Sequence, residues 1–141
     1  MERHGKYSKK GENIIMELQN KYLLPVGNFV NGITMPAQIS RARTKIVTKL
    51  QENIDILMED DKKLIESHNG TINDDKVYFD NPDEQSEYLS DKNELMNEII
   101  NINIDNLSSY DKFKNFISEW NGNVSGEDAE SFDVLCDALG L

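Results

Sequence analysis

The chain has 141 residues, one cysteine and a formal net charge of −11, with a pI near 4.5. That length suits a single domain with a modest core, and one thiol excludes an intrachain disulfide and fits a reducing cytosol. No apolar run approaches the roughly 20 residues of a membrane-spanning helix.

The charge is polarised along the chain. Residues 1–51 carry nine basic and three acidic side chains, residues 52–98 four and fifteen, and residues 99–141 two and eight. An acid surplus of this size is repelled by phosphate backbones, so direct nucleic-acid binding is disfavoured. Two readings of the acids remain: a solvating surface, or a mimic of DNA phosphates that fits a basic partner. Lysine exceeds arginine, and Asn and Ile are plentiful; their codons are AT-rich, which points to a low-GC genome.

Residues 1–15 read as a flexible leader. Lys9-Lys10-Gly11-Glu12 can be encoded by a run containing AAAGGAG, a ribosome-binding sequence, and Asn13-Ile14-Ile15 supply an AT-rich spacer before Met16. The leader is therefore either a native arm or translated leader sequence ahead of a start at Met16. Residues 16–141 then form one domain.

From Met16 the pattern becomes regular. Met16 and Leu18 alternate with Glu17 and Gln19, as in a half-buried strand. Asn20 caps a short helix with Pro25 in its first turn, an apolar face of Val26, Phe29, Val30 and Ile33, and an exit at Gly32. Pro36 precedes the longest element, Ala37 to about Asn69. Its stripe is Ile39, Ala42, Ile46, Leu50, Ile54, Leu57, Leu64 and Ile65. A helix of about 50 Å outruns so small a domain, so either another helix pairs along it or its end enters an oligomer.

Thr71-Ile72 and Val77-Tyr78-Phe79 flank a turn at Asn73 to Lys76, a polar hairpin. Asn81-Pro82-Asp83-Glu84 starts a helix bearing Tyr88, Leu89, Leu95, Met96 and Ile99, expected to fold back antiparallel on the long one. Ile100, Ile102 and Ile104 alternate with asparagines as a strand. Two short helices close the chain. Ser108 with Asp111 and Ser125 with Asp128 form their capping boxes; Tyr110, Phe113, Phe116, Ile117 and Trp120 face inward on the first, and Ala129, Phe132, Leu135, Cys136 and Leu139 on the second. The expected class is α+β, dominated by helix, with a small sheet or hairpins.

No catalytic constellation stands out. The two histidines and one cysteine have no zinc-ligand spacing, and no phosphate loop or nucleophile elbow is present. His68 lies in the last turn of the long helix, where the dipole favours it, and Cys136 falls on an apolar face. Neither Glu59-Asp60-Asp61 nor Asp74-Asp75 has the spacing of a calcium loop. The reading expects no enzyme, no cofactor and no metal, with a metal-dependent enzyme as a remote alternative.

One cluster needs a reason. Arg41, Lys45 and Lys49 lie away from the apolar stripe, but Arg43 falls within it, and a buried guanidinium needs a carboxylate or carbonyl partner. Either Arg43 makes a structural salt bridge to the C-terminal helices, or Arg41, Arg43 and Lys45 contact an anion or a partner.

Three blocks, "LQNKYLLPVGNFV", "SRARTKIVTKLQENI" and "SGEDAESFDVLCDAL", resemble, in this order and spacing, a phage family: family sixteen-seventeen of the domains of unknown function, from phages and prophages of low-GC Gram-positive bacteria. The similarity runs from about Met16 to the C-terminus and departs from the family at residues 70–98. It implies a phage origin with a gene often near tail and lysis modules, and no catalytic residues. Ser40, Arg41, Arg43, Thr44 and Lys45 match the family's most distinctive motif.

The combined expectation is a small acidic accessory protein in the host bacterial cytosol that binds a protein of host or phage origin and inhibits a host defence or nucleic-acid-binding protein, as anti-CRISPR proteins and DNA mimics do. The candidate contacts are Arg41, Arg43, Lys45, Asp60, Asp61, Asp74, Asp75, Asp83 and Glu84. The alternative is an assembly factor of tail or lysis modules, pairing through the long helix.

Overall fold

The computed structural model describes residues 7–10, 13–104 and 110–141. It is helix-dominated α+β, as the periodicities predict. The strand expected from Met16 begins earlier, at Asn13, because the inward alternation extends back to Ile14. This β2 (Asn13–Gln19) pairs antiparallel with β1 (Tyr7–Lys10), which lies within the expected leader, through Lys10↔Asn13 and Lys9↔Ile14. On its other side β2 pairs antiparallel with the later strand Ile99–Asn103, with Met16 opposite Ile102 and Leu18 opposite Ile100. Met16, Leu18, Ile102 and Ile104 are buried, one apolar face laid on the helices.

A 3-10 turn at Asn20–Tyr22 leads into α1 (Leu23–Asn31), where Pro25 occupies the first turn and costs no hydrogen bond. Leu23, Val26, Phe29 and Val30 bury one face of α1, against α2 (Ala37–Ser67) on one side and the last helix on the other. At 1.5 Å per residue α2 runs about 46 Å. Its stripe serves two covers in turn. Ala42, Ile46, Leu50 and Ile54 are buried in the main core, and Leu57 packs against it. Past that point, α2 runs on for about 15 Å with α3 as its cover.

A two-stranded hairpin, β3 (Thr71–Asn73) and β4 (Lys76–Tyr78), turns the chain back. Asp74 and Asp75 take φ of 52° and 62° at its two central positions, the left-handed pair that matches strand twist in a tight hairpin and that aspartate tolerates. Then α3 (Pro82–Asn97) returns along α2, with Asn81 Oδ1 accepting from the Asp83 amide at 2.8 Å. The pair closes on a narrow seam of Ile65, Phe79 and Tyr88, the two rings 5.2 Å apart. Leu89, expected on the packed face, is 55% exposed, because the seam follows Tyr88 and the next residue stands about 100° around the helix. Ile99 is exposed as well, on the outer face of β5 (Ile99–Asn103).

The last two helices are α4 (Tyr110–Glu119) and α5 (Gly126–Leu139). Tyr110, Phe113 and Ile117 of α4 are buried; Ser108, half of the first expected capping box, lies outside the described residues. The second capping box does not form. Gly126, at φ 56°, swings the chain into α5, and Ser125 contributes its carbonyl, accepting from Ala129 N at 3.4 Å, in place of a side-chain cap. The buried face of α5 is Ser131, Val134, Leu135, Ala138 and Leu139, rotated from the expected one. Phe132 and Cys136 flank it half-buried, and the Phe132 ring joins Trp120 and Phe29 in a cluster with centroids 5.5–6.0 Å apart.

Candidate functional site

The basic cluster divides by direction. Arg43 makes no salt bridge to the C-terminal helices, the first of the two roles expected for it. It donates from Nη1 to the carbonyl of Ile33 and from Nη2 to Ser40 Oγ at 3.0 Å. Ile33 lies just past the C-terminal end of α1, where unpaired carbonyls carry partial negative charge and a cation is favoured. Arg43 thus ties the α1–α2 connection to the first turns of α2, and Ser40 helps to aim it. Arg41, Thr44 and Lys45 are exposed, with Thr44 Oγ1 donating to the Ser40 carbonyl at 3.1 Å. Of the motif, Arg41 and Lys45 are the free basic surface.

The acidic candidates lie elsewhere. Asp60 and Asp61 are fifteen residues or more along α2 from Lys45, about 22 Å, and Asp74, Asp75, Asp83 and Glu84 lie farther out on the arm formed by α2, the hairpin and α3. The basic and acidic candidates therefore lie in two separate places. Within the acidic set, Asp74 and Asp75 occupy the exposed hairpin turn and Asp83 is exposed in the first turn of α3. Asp60 is half-exposed. Asp61 is engaged inside the arm, accepting from Tyr88 Oη at 2.6 Å and Lys92 Nζ at 3.4 Å. Glu84 is engaged too, accepting from Asn69 Nδ2 at 3.1 Å. Exposed apolar side chains stand among these acids: Ile56, Met58, Ile72, Tyr78 and Leu89.

His68 does more than answer the dipole of α2. It lies half-buried between the helices, with Nε2 2.7 Å from Asp91 Oδ2, and Nδ1 3.5 Å from Glu84 Oε2 and 3.7 Å from Glu87 Oε2. The hydrogen bond to Asp91, with the charges of Asp91, Glu84 and Glu87, raises its pKa against a smaller opposing effect of burial. Among the described residues, His68, Glu84 and Glu87 are the group with metal-donor types at close range. The α3 spacing was legible, since Glu84, Glu87 and Asp91 recur at three- and four-residue steps on one face; the register that brings His68 to it was not.

Other concave surfaces offer less chemistry. An open cleft of about 350 Å³ is lined by Asn28, Phe29, Ile33, Trp120, Val124 and Asp128, among others, and a lone carboxylate among amides and aromatics makes no acid–base pair. Cys136 is half-buried on α5, and burial, then Asp133 and Asp137, push its thiol up, away from the thiolate a nucleophile needs. No helix among the described residues is long and apolar enough to cross a membrane. Comparison with protein-family models, curated proteins and solved structures finds no match to this chain.

Proposed function

We propose that this chain is a non-catalytic accessory protein that binds a basic, nucleic-acid-binding protein through the acidic arm formed by α2, the hairpin and α3. The observation that carries this reading is the placement of charge: residues 52–98 hold fifteen of the 26 acidic side chains and four basic ones, and most of that segment projects past the main core. Asp60, Asp74, Asp75 and Asp83 offer carboxylates along it in the way a duplex offers phosphates. Ile56, Met58 and Leu89 add apolar anchors of the kind that give an interface affinity beyond charge. The resemblance of the three sequence blocks to a phage family supports a phage origin, the host cytosol as the place of action, and a host defence or nucleic-acid-handling protein as the target.

The test is capture of a nucleic-acid-binding protein from lysate of a low-GC Gram-positive host, using the full chain as bait. The expected result is retention that added salt reverses, that duplex DNA competes away, and that the combined Asp60→Asn, Asp74→Asn, Asp75→Asn and Asp83→Asn variant loses. Capture indifferent to all three overturns the reading.

A second reading, a phage assembly factor, is favoured by the exposure of Ile56 and Met58 on α2, at 61% and 65%. The apolar stripe itself is spent within the chain, since Leu50 is buried in the core and Leu57 packs against it. Self-association or capture of tail or lysis proteins, lost on Ile56→Asp with Met58→Asp, decides for that reading.

A further inference from the structure

One imidazole faces three carboxylates across the α2–α3 seam. A histidine carries at most one positive charge, so Glu84, Glu87 and Asp91 leave a surplus of negative charge around His68 even when it is protonated. Lys92, next along the same helix, is turned to Asp61. Charge of this kind in a half-buried place is what a divalent ion neutralises.

The distances are those of a coordination shell. In a tetrahedral site with metal–donor bonds of about 2.0–2.2 Å, the donors stand about 3.3–3.6 Å from one another. His68 Nδ1 is 3.5 Å from Glu84 Oε2 and 3.7 Å from Glu87 Oε2, and all three donor atoms lie within 4.8 Å of one another. Glu87 has an exposed side chain, free to close the remaining gap by rotation. The outer partners are also in place. Asp91 holds the opposite ring nitrogen at 2.7 Å, which fixes the proton on Nε2 and leaves the Nδ1 lone pair for an ion. Asn69 Nδ2 donates to Glu84 Oε1 and so orients Oε2 inward.

We propose that His68, Glu84 and Glu87 bind a zinc-class divalent ion, with Asp91 and Asn69 as the groups that orient them and a fourth position left to water. One nitrogen and two carboxylate donors suit zinc and its first-row neighbours better than magnesium or calcium, which require six or more oxygens. The ion joins the end of α2 to the start of α3 and so clamps the arm beside its hairpin, where the apolar seam is thin.

The test is calorimetric titration of the chelator-treated full chain with Zn²⁺, paired with thermal melting and with Co²⁺ absorption. The expected result is one equivalent bound, a raised melting temperature and the visible bands of tetrahedral Co²⁺. Glu87→Gln, at an exposed position that leaves the helical circular dichroism unchanged, removes the one-equivalent phase. Asp91→Asn weakens it by about 10- to 100-fold. Asp74→Asn with Asp75→Asn, at the hairpin turn, leaves it intact. Absence of a one-equivalent phase overturns the site, as does a phase that survives Glu87→Gln or disappears with the hairpin variant.

Discussion

Asn20 closes the C-terminal end of α3 from 75 residues away in the chain: its side-chain Nδ2 donates to the Leu95 carbonyl at 2.9 Å, and its backbone N–H donates to the Glu98 carbonyl at 2.9 Å. The side chain is buried, at 6% exposure. The arm is thus held at its base by one residue of the β2–α1 junction, with Gln19 adding a bond from Nε2 to the Asn97 carbonyl at 3.1 Å. Asn20→Asp removes the donor and sets a carboxylate against a carbonyl, while Asn20→Ala removes the side-chain bond and leaves the Leu95 carbonyl to the Glu98 amide, which donates to it at 3.2 Å. The expected cost of Asn20→Ala is about 0.5–1.5 kcal/mol in urea unfolding, the range for one lost hydrogen bond, with faster amide exchange at the end of α3. An unchanged midpoint shows that α3 is held by its seam with α2 alone.

The bond from Arg43 to the Ile33 carbonyl predicts a split within the basic motif. Arg43→Met keeps the apolar stem but removes both donors, and is expected to destabilise by about 1.5–3 kcal/mol, the range for bonds to charged groups. Arg41→Ala and Lys45→Ala, at exposed positions of the same helix, should stay within about 0.5 kcal/mol. Equal effects at all three positions, read by chemical denaturation, contradict the assignment of Arg43 to the α1–α2 connection.

The pattern of successes follows from which forces are local. Stripes such as Ala42–Ile46–Leu50–Ile54, the hairpin turn at Asp74-Asp75 and the start of α3 at Asn81 are set by residues within one turn of each other, and they read directly from the chain. Arg43 could be flagged from its place in a buried stripe, but its partner could not be named, because the α1 terminus reaches it only after α1 and α2 pack. The partners of His68 were hidden for the same reason: its three carboxylates lie sixteen to twenty-three residues away, and their register depends on the length of a hairpin. The rotated face of α5 reflects a tertiary choice too. Phe132 and Cys136 look like core in sequence, but the aromatic cluster with Phe29 and Trp120 draws Phe132 to the edge, and small Ser131 and Ala138 take the inner positions.

Gly122 exists for the indole of Trp120. A Cβ at that position would stand 2.1 Å from Trp120 Cζ2 and 2.5 Å from Cη2, far inside van der Waals contact. Gly122→Ala must push the ring away from Phe29 and Phe132, with an expected cost of about 1–3 kcal/mol. Trp120 is the single tryptophan of the chain, so its fluorescence reports the displacement directly. The expected change is a red shift in the native state before any unfolding. An unshifted spectrum with an unchanged melting temperature means that the α4–α5 connection can move instead.

Cys136 provides the pH-dependent prediction. Burial first, then the charges of Asp133 and Asp137, raise its thiol pKa in the fold, so the folded chain holds the thiol proton more tightly than the unfolded chain does. The stabilisation from keeping the neutral thiol is therefore fully present below the ordinary thiol range and is lost as pH rises from that range through the higher folded value. Two measurements follow from the same sign. Urea midpoints fall on passing into alkaline solution by more in the native chain than in Cys136→Ala, and iodoacetamide modifies the folded chain more slowly than the urea-unfolded chain at mildly alkaline pH. If the folded thiol reacts as fast as the unfolded one, Cys136 is an open surface cysteine, and Asp133 and Asp137 do not restrain it.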